Sequence, residues 1–375
     1  MLVYQAHYPF YLTPTTIGGE VDSEGDAASS INVEGLELIG ERVETNGKKQ
    51  SYLTGEWKDA AVVDRRPMGV MIPNNESALP QHGISYASVI YEAPMEFLSC
   101  TRLMGVFEDY DSLDYIGSLR SARSYFCYFD MSLDAIYCNW GLAIPFVGPI
   151  INTDRIDNIS AGVLGIDNPS DEAFDRDKAR EEAGYATEYT GIMTISGYEQ
   201  AVERQGYETN YRSTFQPTFT FAADGYRVTY DEFESATKVS PGGYTRGAAG
   251  GGYEHATPYF QYNASDGLYH RYQFGAPQID EMNNEELTCS NVVFMVMPGF
   301  YCDENTGYLE FDMYGYGVAY VCTNGKCVKG AWHRADGDNT PYKYYDSWGN
   351  EIIFNQGKTW VCLIWDEYEQ YVTIE

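Results

Sequence analysis

The chain has 375 residues, a length that suits two domains better than one. Its formal net charge is −31, from 55 acidic and 24 basic side chains, and because such a surface repels phosphate backbones we expect no nucleic-acid partner. No apolar run approaches the about 18 residues of a membrane-spanning helix, so the sequence predicts no transmembrane segment. The 34 tyrosines and 37 glycines favour strands and tight turns, which predicts a β-rich protein.

Residues 1–55 are predicted to form a mobile acidic N-terminal segment, because they are poor in core-forming periodicity and rich in Ser, Gly and acidic residues. Within it, residues 35–44 alternate as a strand does, and Asn46-Gly47 is a turn signal, which indicates a hairpin. The start of the chain lacks a basic region followed by an apolar stretch, so we predict no signal peptide in this sequence.

Residues 56–213 are predicted to form an N-terminal α/β domain with a mixed sheet. Short apolar runs and period-two alternation predict its strands at 68–72, 86–93, 103–109 and 135–141. Apolar positions at helical spacing predict a helix within 118–135. Ser196, with Glu199 three residues later, indicates the start of a second helix.

Residues 214–375 are predicted to form a β-rich C-terminal domain, so the expected fold class is α+β. One hairpin is marked by Asn324-Gly325, which would place Cys322 opposite Cys327 in a non-hydrogen-bonded pair. The Cβ atoms of such a pair lie about 4.5–5.5 Å apart, near the distance that a disulfide needs. A disulfide would favour an extracytoplasmic location, and the alternative is two reduced thiols side by side.

Standard catalytic and cofactor patterns are absent from the sequence. It contains no GxGxxG after a strand, no GxxxxGK[ST], no HExxH, no GxSxG and no CxxC. The five histidines are far apart along the chain. We therefore expect no cofactor and no metal, and we favour a binding protein over an enzyme.

The stretch from Arg66 to Arg123 holds the densest group of charged and polar side chains near strand ends. Arginine forks suit carboxylates and phosphates, so one interpretation is an anion- or sugar-binding cleft. A second is a buried ion-pair network that fixes how strands and helix meet. A third is acid–base chemistry by Glu92 and Glu96, as in glycoside hydrolysis. The candidate ligand-binding residues are Arg66, Asn75, Glu92, Glu96, Arg102, Arg120, Ser121 and Arg123.

Aromatic residues are frequent in the second half of the chain. They are interpreted either as exposed platforms for glycan or protein binding, or as core and cross-strand pairs. The residues concerned are Tyr253, Tyr259, Tyr262, Tyr269, Tyr272, Trp332, Tyr344, Tyr345, Trp348 and Trp360.

An ordered series of motifs runs through the chain. In the first half they are RRPMGVMIPNN (65–75), ALPQHGISYASVIYEAPME (78–96), TRLMGVFED (101–109) and IGSLRSARSYF (116–126). In the second half they are YHRYQFGAPQID (269–280), SNVVFM (290–295), GYGVAYVCTNGKCVKGAWHR (315–334), TPYKYYDSWGNEI (340–352) and NQGKTWV (355–361). Over residues 52–372 the series resembles the YerB-like "putative lipoprotein" family, domain of unknown function 3048. Gln278 stands where the family pattern has His, and Ser118-Leu119 stand where it has Pro-Val.

The resemblance implies a two-domain extracellular protein of the Gram-positive cell envelope, usually anchored through a lipidated N-terminal cysteine that the start of this sequence does not contain. It implies no catalytic mechanism. We therefore expect an uncharacterised envelope protein that binds a ligand or partner, such as a cell-wall component or an envelope protein, through the arginine and glutamate cluster. The alternative is a hydrolase of cell-wall glycan or peptide that uses Glu92 or Glu96.

Overall fold

The computed structural model describes residues 36–161, 171–242, 253 and 256–375. Most of the predicted N-terminal segment, residues 1–35, lies outside them. The helices are α1 (Ala60–Asp64), α2 (Ser124–Ser132), α3 (Ile144–Ile151), α4 (Lys178–Glu182) and α5 (Ile195–Gln205). Short 3-10 turns lie at Glu76–Ala78, Ile84–Tyr86, Glu96–Leu98, Asp171–Ala173, Thr187–Tyr189 and Asp366–Tyr371. Within the described ranges, no helix is both long and apolar enough to cross a membrane.

Strands dominate both halves of the chain. In the first half they are β1 (Lys48–Gln50), β2 (Trp57–Asp59), β3 (Met68–Pro73), β4 (Val89–Pro94), β5 (Thr101–Phe107), β6 (Tyr115–Gly117), β7 (Ile136–Trp140), β8 (Asn158–Ala161), β9 (Phe174–Arg176) and β10 (Gly191–Thr194). In the second half they are β11 (Glu234–Ser235), β12 (Lys238–Ser240), β13 (Tyr259–Asn263), β14 (Leu268–Gln273), β15 (Ala276–Pro277), β16 (Thr288–Cys289), β17 (Asn291–Met297), β18 (Gly299–Asp303), β19 (Tyr308–Phe311), β20 (Gly315–Thr323), β21 (Lys326–Arg334), β22 (Lys343–Tyr345), β23 (Thr359–Trp365) and β24 (Thr373–Ile374).

One large mixed sheet takes strands from both halves of the chain. Its order is β11-β21-β20-β17-β23-β4-β5-β3-β7-β8, with β22 paired to β21. The halves meet where β23 pairs in parallel with β4, with Thr359 opposite Val89 and Cys362 opposite Glu92. Strands β12 to β16 and β24 form a six-stranded sheet, and β6, β10 and β9 form a three-stranded one. Strands β1 and β2 pair with each other, as do β18 and β19.

Apolar side chains cover both faces of the large sheet. Along β17, Val293 and Met295 pack on the face that carries α2, α3 and the β18–β19 hairpin. Val292 and Phe294 pack on the opposite face, against the six-stranded sheet and α5. A strand buried on both faces needs a continuous apolar sequence, and NVVFMVM supplies it here.

The predicted fold class is confirmed: the protein is α+β, with a mixed sheet in the first half and a β-rich second half. The predicted strands at 68–72, 103–109 and 135–141 correspond to β3, β5 and β7. The domain boundaries after residues 55 and 213 stay a prediction. The large sheet takes strands from both sides of residue 213, and the β1–β2 pair has one strand on each side of residue 55.

The helix predicted within 118–135 is shorter in the structure and begins only at Ser124. The residues before it are extended and pair with strand ends, because the Arg120 N–H donates to the carbonyl of Met71 and Ala122 bridges Leu142. Backbone groups already bonded to the sheet cannot also close helical turns. This pairing places the arginines that precede α2 at an edge of the large sheet.

Two local sequence signals, one for a turn and one for a helix cap, had different outcomes. Asn46-Gly47 forms the predicted tight turn, with φ of 53° and 75°, although the described part of residues 35–44 contributes only an isolated bridge at Leu38. The helix cap predicted at Ser196 is wrong. Helix α5 begins after Thr194, whose hydroxyl accepts a hydrogen bond from the Gly197 N–H.

Asp130 on α2 is a charged residue type in an apolar site. Its side chain is fully buried, and neither carboxylate oxygen has a hydrogen-bond partner among the described residues. Burial raises the pKa of this carboxyl well above 3.8, although Arg66 acts in the opposite direction. Between the two pKa values, the folded protein retains a proton on Asp130 that the unfolded chain releases. The contribution of Asp130 to the free energy of unfolding is therefore most favourable below the pKa of the unfolded chain, and it is lost as pH rises through the pKa of the folded protein.

We therefore expect Asp130→Asn to raise the free energy of unfolding at neutral pH, by a margin that grows as pH rises, because the amide does not ionise. Urea denaturation of both proteins at about pH 5, 7 and 9 measures this margin. As a control, Asp134→Asn should destabilise the protein, because Asp134 accepts from Arg212 at 2.6 Å. An identical pH dependence in the wild type and Asp130→Asn would contradict the expectation.

Candidate functional site

A buried ion pair connects the two halves of the chain. Glu92 on β4 is 0% exposed, and its two carboxylate oxygens accept from Nη2 of Arg271 on β14, at 3.0 and 2.8 Å. Its neighbours Tyr91 and Ala93 pack on the helix-bearing face, so Glu92 lies on the face covered by the six-stranded sheet. The indole Nε1 of Trp360 on β23 also donates to it, at 3.0 Å. The carboxylate is therefore neutralised from within the protein.

Uncharged polar side chains complete the surroundings of Glu92. Thr101 donates to Oε1 at 2.8 Å and Asn74 donates to the same oxygen at 3.1 Å. The Asn74 carbonyl oxygen in turn accepts from Gln273 at 3.0 Å and from Gln278 at 3.5 Å. All of these side chains are buried. At Glu92 the geometry therefore fits the interpretation of a buried ion-pair network rather than that of a catalytic carboxylate.

Arg66 and Asn75 lie beyond opposite ends of β3. The Arg66 side chain is fully buried and donates to Asp157 at 2.5 Å and to the carbonyl of Asp134 at 2.7 Å. It connects the start of β3 to the segments that flank β7 and β8. Asn75 is partly buried before the 3-10 turn at Glu76–Ala78, and its side chain does not cap that turn. Arg66 is therefore separated by the length of β3 from Arg102, which is opposite Pro73.

Five predicted residues do come together at one edge of the large sheet, which we call the arginine edge: Glu96, Arg102, Arg120, Ser121 and Arg123. Nη1 of Arg102 donates to the carbonyl of Ser121 at 2.7 Å. Arg123 forms an ion pair with Glu96. Arg120 lies 3.5 Å from the carboxylate of Glu188 and over the ring of Tyr189. The edge thus combines three guanidinium groups with two carboxylates.

The arginine edge lies at the carboxyl ends of parallel strands. Strands β3 and β7 run parallel, and the Trp140 N–H at the end of β7 donates to the Arg120 carbonyl at 3.0 Å. Helix α2 starts directly after Arg123, and α3 starts shortly after β7 ends. Neither helix has a side-chain N-cap hydrogen bond, at Arg123 or at Ala143. Helix N-termini favour anions, and the carboxyl ends of α/β strands are where ligands commonly bind.

Arg102 gives the arginine edge an unneutralised charge. Its guanidinium has no carboxylate within 4.0 Å among the described residues, and the residue is only 7% exposed. The pKa of Arg102 is lowered to about 10, mainly by burial and also by repulsion from Arg123 and Arg120, with Glu96 acting in the opposite direction. Nε of Arg120 is also buried without a hydrogen-bond partner in the described part of the chain. These donors and charges are suited to an anion.

Arg271 and Trp360 are residues that sequence reasoning did not connect to Glu92. They lie 179 and 268 positions away from it along the chain. One signal was present: Arg271 occupies an inward position of β14, in a strand whose burial alternates strictly. A charged residue at a core position of an alternating strand indicates a buried partner.

Cys322 and Cys327 face each other as the turn signal predicts. They are directly opposite on β20 and β21, with Thr323 opposite Lys326 next to the turn. Both thiols are buried and free in this structure, and they lie within hydrogen-bonding contact of each other. Burial raises the pKa of Cys322 well above its ordinary value. The register is confirmed, and the disulfide stays a prediction.

The aromatic residues of the second half divide between core and surface. Of the ten considered, Tyr253, Tyr269, Trp332, Tyr344 and Trp360 are buried, and Trp348 is exposed. The others are partly buried, and Tyr259 and Tyr272 stack as a cross-strand pair with ring centroids 4.8 Å apart. The interpretation as core and cross-strand pairs therefore describes most of them.

Comparisons with known proteins give consistent matches. A family model described as "Protein of unknown function (DUF3048) N-terminal domain" matches residues 53–208, and its C-terminal counterpart matches residues 251–361. The Bacillus subtilis (strain 168) protein named "Putative lipoprotein YerB" is 23% identical over 329 residues, which cover 86% of this chain and 88% of the relative. The crystal structure of YerB from Bacillus subtilis matches with a TM-score of 0.69 at 19% identity, over 87% of this chain and 99% of that one. At this identity the structural likeness shows a shared fold.

Glu92→Gln is expected to lower the free energy of unfolding by about 3–5 kcal/mol, because it leaves the Arg271 charge buried and unpaired. Urea denaturation measures the loss. The double variant Glu92→Met/Arg271→Met should lose less, since it buries no charge. Glu172→Gln is the matched control and should cost less than about 1 kcal/mol, because the Glu172–Arg204 pair is partly exposed. Equal losses for the two Gln variants would contradict the structural role of Glu92.

Cys322 and Cys327 are predicted to form a disulfide in oxidising buffer, because their backbone register already brings the two thiols into contact. Alkylation followed by mass spectrometry should label two fewer cysteines than in the reduced protein. Closing so short a loop is expected to stabilise the fold by about 2 kcal/mol, which Cys322→Ser would remove. Cys100→Ser serves as the control. Alkylation of all eight cysteines without reductant would refute the bond.

Proposed function

Starting from the fact that this chain belongs to the DUF3048 family, whose two domains are both described as being of unknown function, we propose that it is a cell-envelope protein that binds an anionic ligand at the arginine edge. The envelope location is proposed because the Bacillus subtilis relative is named "Putative lipoprotein YerB". The ligand class is proposed from the side chains at the edge, as follows.

The observation that carries the proposal is the charge of Arg102. A nearly buried guanidinium with two arginines as neighbours and no carboxylate within 4.0 Å in the described ranges is electrostatically unfavourable. An anion bound at the edge would offset this repulsion and accept hydrogen bonds from the guanidinium groups. This excess of positive charge is local, since the whole chain carries −31. It therefore selects for an anionic group rather than for a cationic or neutral one.

The position of the edge supports the same proposal. The first turn of α2 starts there without a side-chain cap, so its backbone N–H groups are available beside the guanidinium groups. Forked arginine donors and backbone N–H groups together bind carboxylates and phosphates. We therefore propose a carboxylate- or phosphate-bearing small molecule, such as an acidic cell-wall fragment, as the ligand.

The hydrolase alternative has less support from the contacts. Glu92 is completely buried and holds hydrogen bonds from Arg271, Trp360, Thr101 and Asn74, so a substrate has no access to its oxygens. Glu96 is held in an ion pair with Arg123, so its carboxylate already has a partner within the protein. No contact of either carboxylate favours acid–base chemistry.

The test is a thermal-shift assay that compares anions with matched neutral molecules. The pairs are glucuronate with glucose and N-acetylmuramate with N-acetylglucosamine, and phosphate is tested as a third anion. We expect at least one anion to raise Tm while its neutral counterpart does not; saturation at about ten times Kd corresponds to about 1.4 kcal/mol. Arg102→Gln should abolish the shift, because it removes the unpaired charge.

Arg204→Gln is the matched control, because Arg204 is a surface arginine on α5 that pairs with Glu172, away from the arginine edge. It should keep the full shift of the wild type. If none of the anions raises Tm, or if Arg102→Gln responds as the wild type does, the proposed anion site is refuted.

A further inference from the structure

A groove lies beside α2 that was not indicated by any sequence motif. It is a groove of about 570 Å³ between helices α2 and α3 on one side and the β18–β19 hairpin with the residues that follow it on the other. We call it the aromatic groove; its lining includes Ser124, Tyr128, Phe146, Arg155, Phe300 and Glu310. Its volume lies within the about 300–1,000 Å³ of sites for small organic ligands.

Aromatic faces line both walls of the groove. Tyr128 on α2 meets the ring of Tyr314 edge-on at 5.5 Å, and Phe146 on α3 packs against Tyr308 at 5.2 Å. Phe300 on β18 is 53% exposed, although it is a large apolar side chain. The neighbours fix the first two rings in orientation, and Phe300 offers its ring to whatever occupies the groove. Such fixed rings provide flat apolar surfaces for stacking.

Polar groups alternate with these rings. Ser124 donates to Oε2 of Glu310 at 2.7 Å, and burial raises the pKa of Glu310, so this carboxyl keeps its proton to higher pH than an exposed glutamate does. The oxygens of this carboxyl group can accept hydrogen bonds from hydroxyl groups. Arg155 is held by Asp338 through two bonds of 2.8 and 2.7 Å. Its charge is thereby neutralised, so the groove does not select for an anion.

We infer that the aromatic groove is a binding site for a neutral oligosaccharide, distinct from the arginine edge and independent of the function proposed for that edge. A sugar ring has an apolar face that stacks on an aromatic ring and a rim of hydroxyls that both donate and accept hydrogen bonds. The groove offers both kinds of contact, with Phe146 and Phe300 for the faces and Glu310 for the hydroxyls. Its volume accommodates about two or three sugar rings.

The full chain is titrated in a calorimeter with three neutral trisaccharides: maltotriose, cellotriose and triacetylchitotriose. We expect at least one to bind with a Kd below about 1 mM. Phe300→Ser and Glu310→Leu should each weaken that binding about tenfold or more, by removing a stacking face and a hydrogen-bonding group. Phe300 is mainly exposed, so its replacement leaves the fold intact even if the Glu310 variant does not fold.

Two controls distinguish this site from others. Tyr316→Ser removes an aromatic side chain as exposed as Phe300 but outside the groove, and Arg102→Gln alters only the arginine edge; both should bind the trisaccharide as the wild type does. The inference is overturned if no trisaccharide binds at about 10 mM, or if Phe300→Ser binds normally. Binding of trilysine in place of the sugars would also overturn it, and would identify a cationic peptide as the occupant.

Discussion

The ion pair between Glu92 and Arg271 is the contact on which the arrangement of the two halves depends. It lies where β4 of the first half pairs with β23 of the second, underneath the six-stranded sheet that carries Arg271. Each charge, buried alone, would cost several kcal/mol, so the two are stable there only together. Trp360 adds a hydrogen bond from the joining strand itself. The large sheet and the six-stranded sheet must therefore be in place at the same time.

The same constraint separates the predicted cluster into parts with different roles. Side chains whose charge is fully neutralised inside the protein, such as Glu92 and Arg66, hold strands and connecting segments in position. Those at the carboxyl ends of β3 and β7 keep an excess of positive charge, because Arg102 has no carboxylate within 4.0 Å in the described part of the chain. The sequence analysis grouped these residues because they are close along the chain. In the structure, the direction in which each strand presents its side chains decides which of them are paired inside the protein.

The start of α2 contributes to both proposed sites. Arg123 belongs to the arginine edge, and the next residue, Ser124, lines the aromatic groove. The Arg123 guanidinium also lies over the ring of Tyr308, which packs on Phe146 in the groove wall. The short extended stretch before the helix makes this possible, because its backbone pairs with strand ends instead of continuing the helix. Charged and aromatic surfaces therefore meet at one helix terminus.

The sequence by itself determined the features that depend on local patterns: the α+β class, the buried strands β3, β5 and β7, and the turn that sets Cys322 opposite Cys327. Periodicity and turn chemistry act over a few residues, so strands and turns can be predicted from them without knowledge of the fold. Only the tertiary structure decided that both halves share one sheet, that Glu92 is paired and inaccessible, and that a groove opens beside α2. Each of these results from pairing between residues more than a hundred positions apart, which no local pattern encodes.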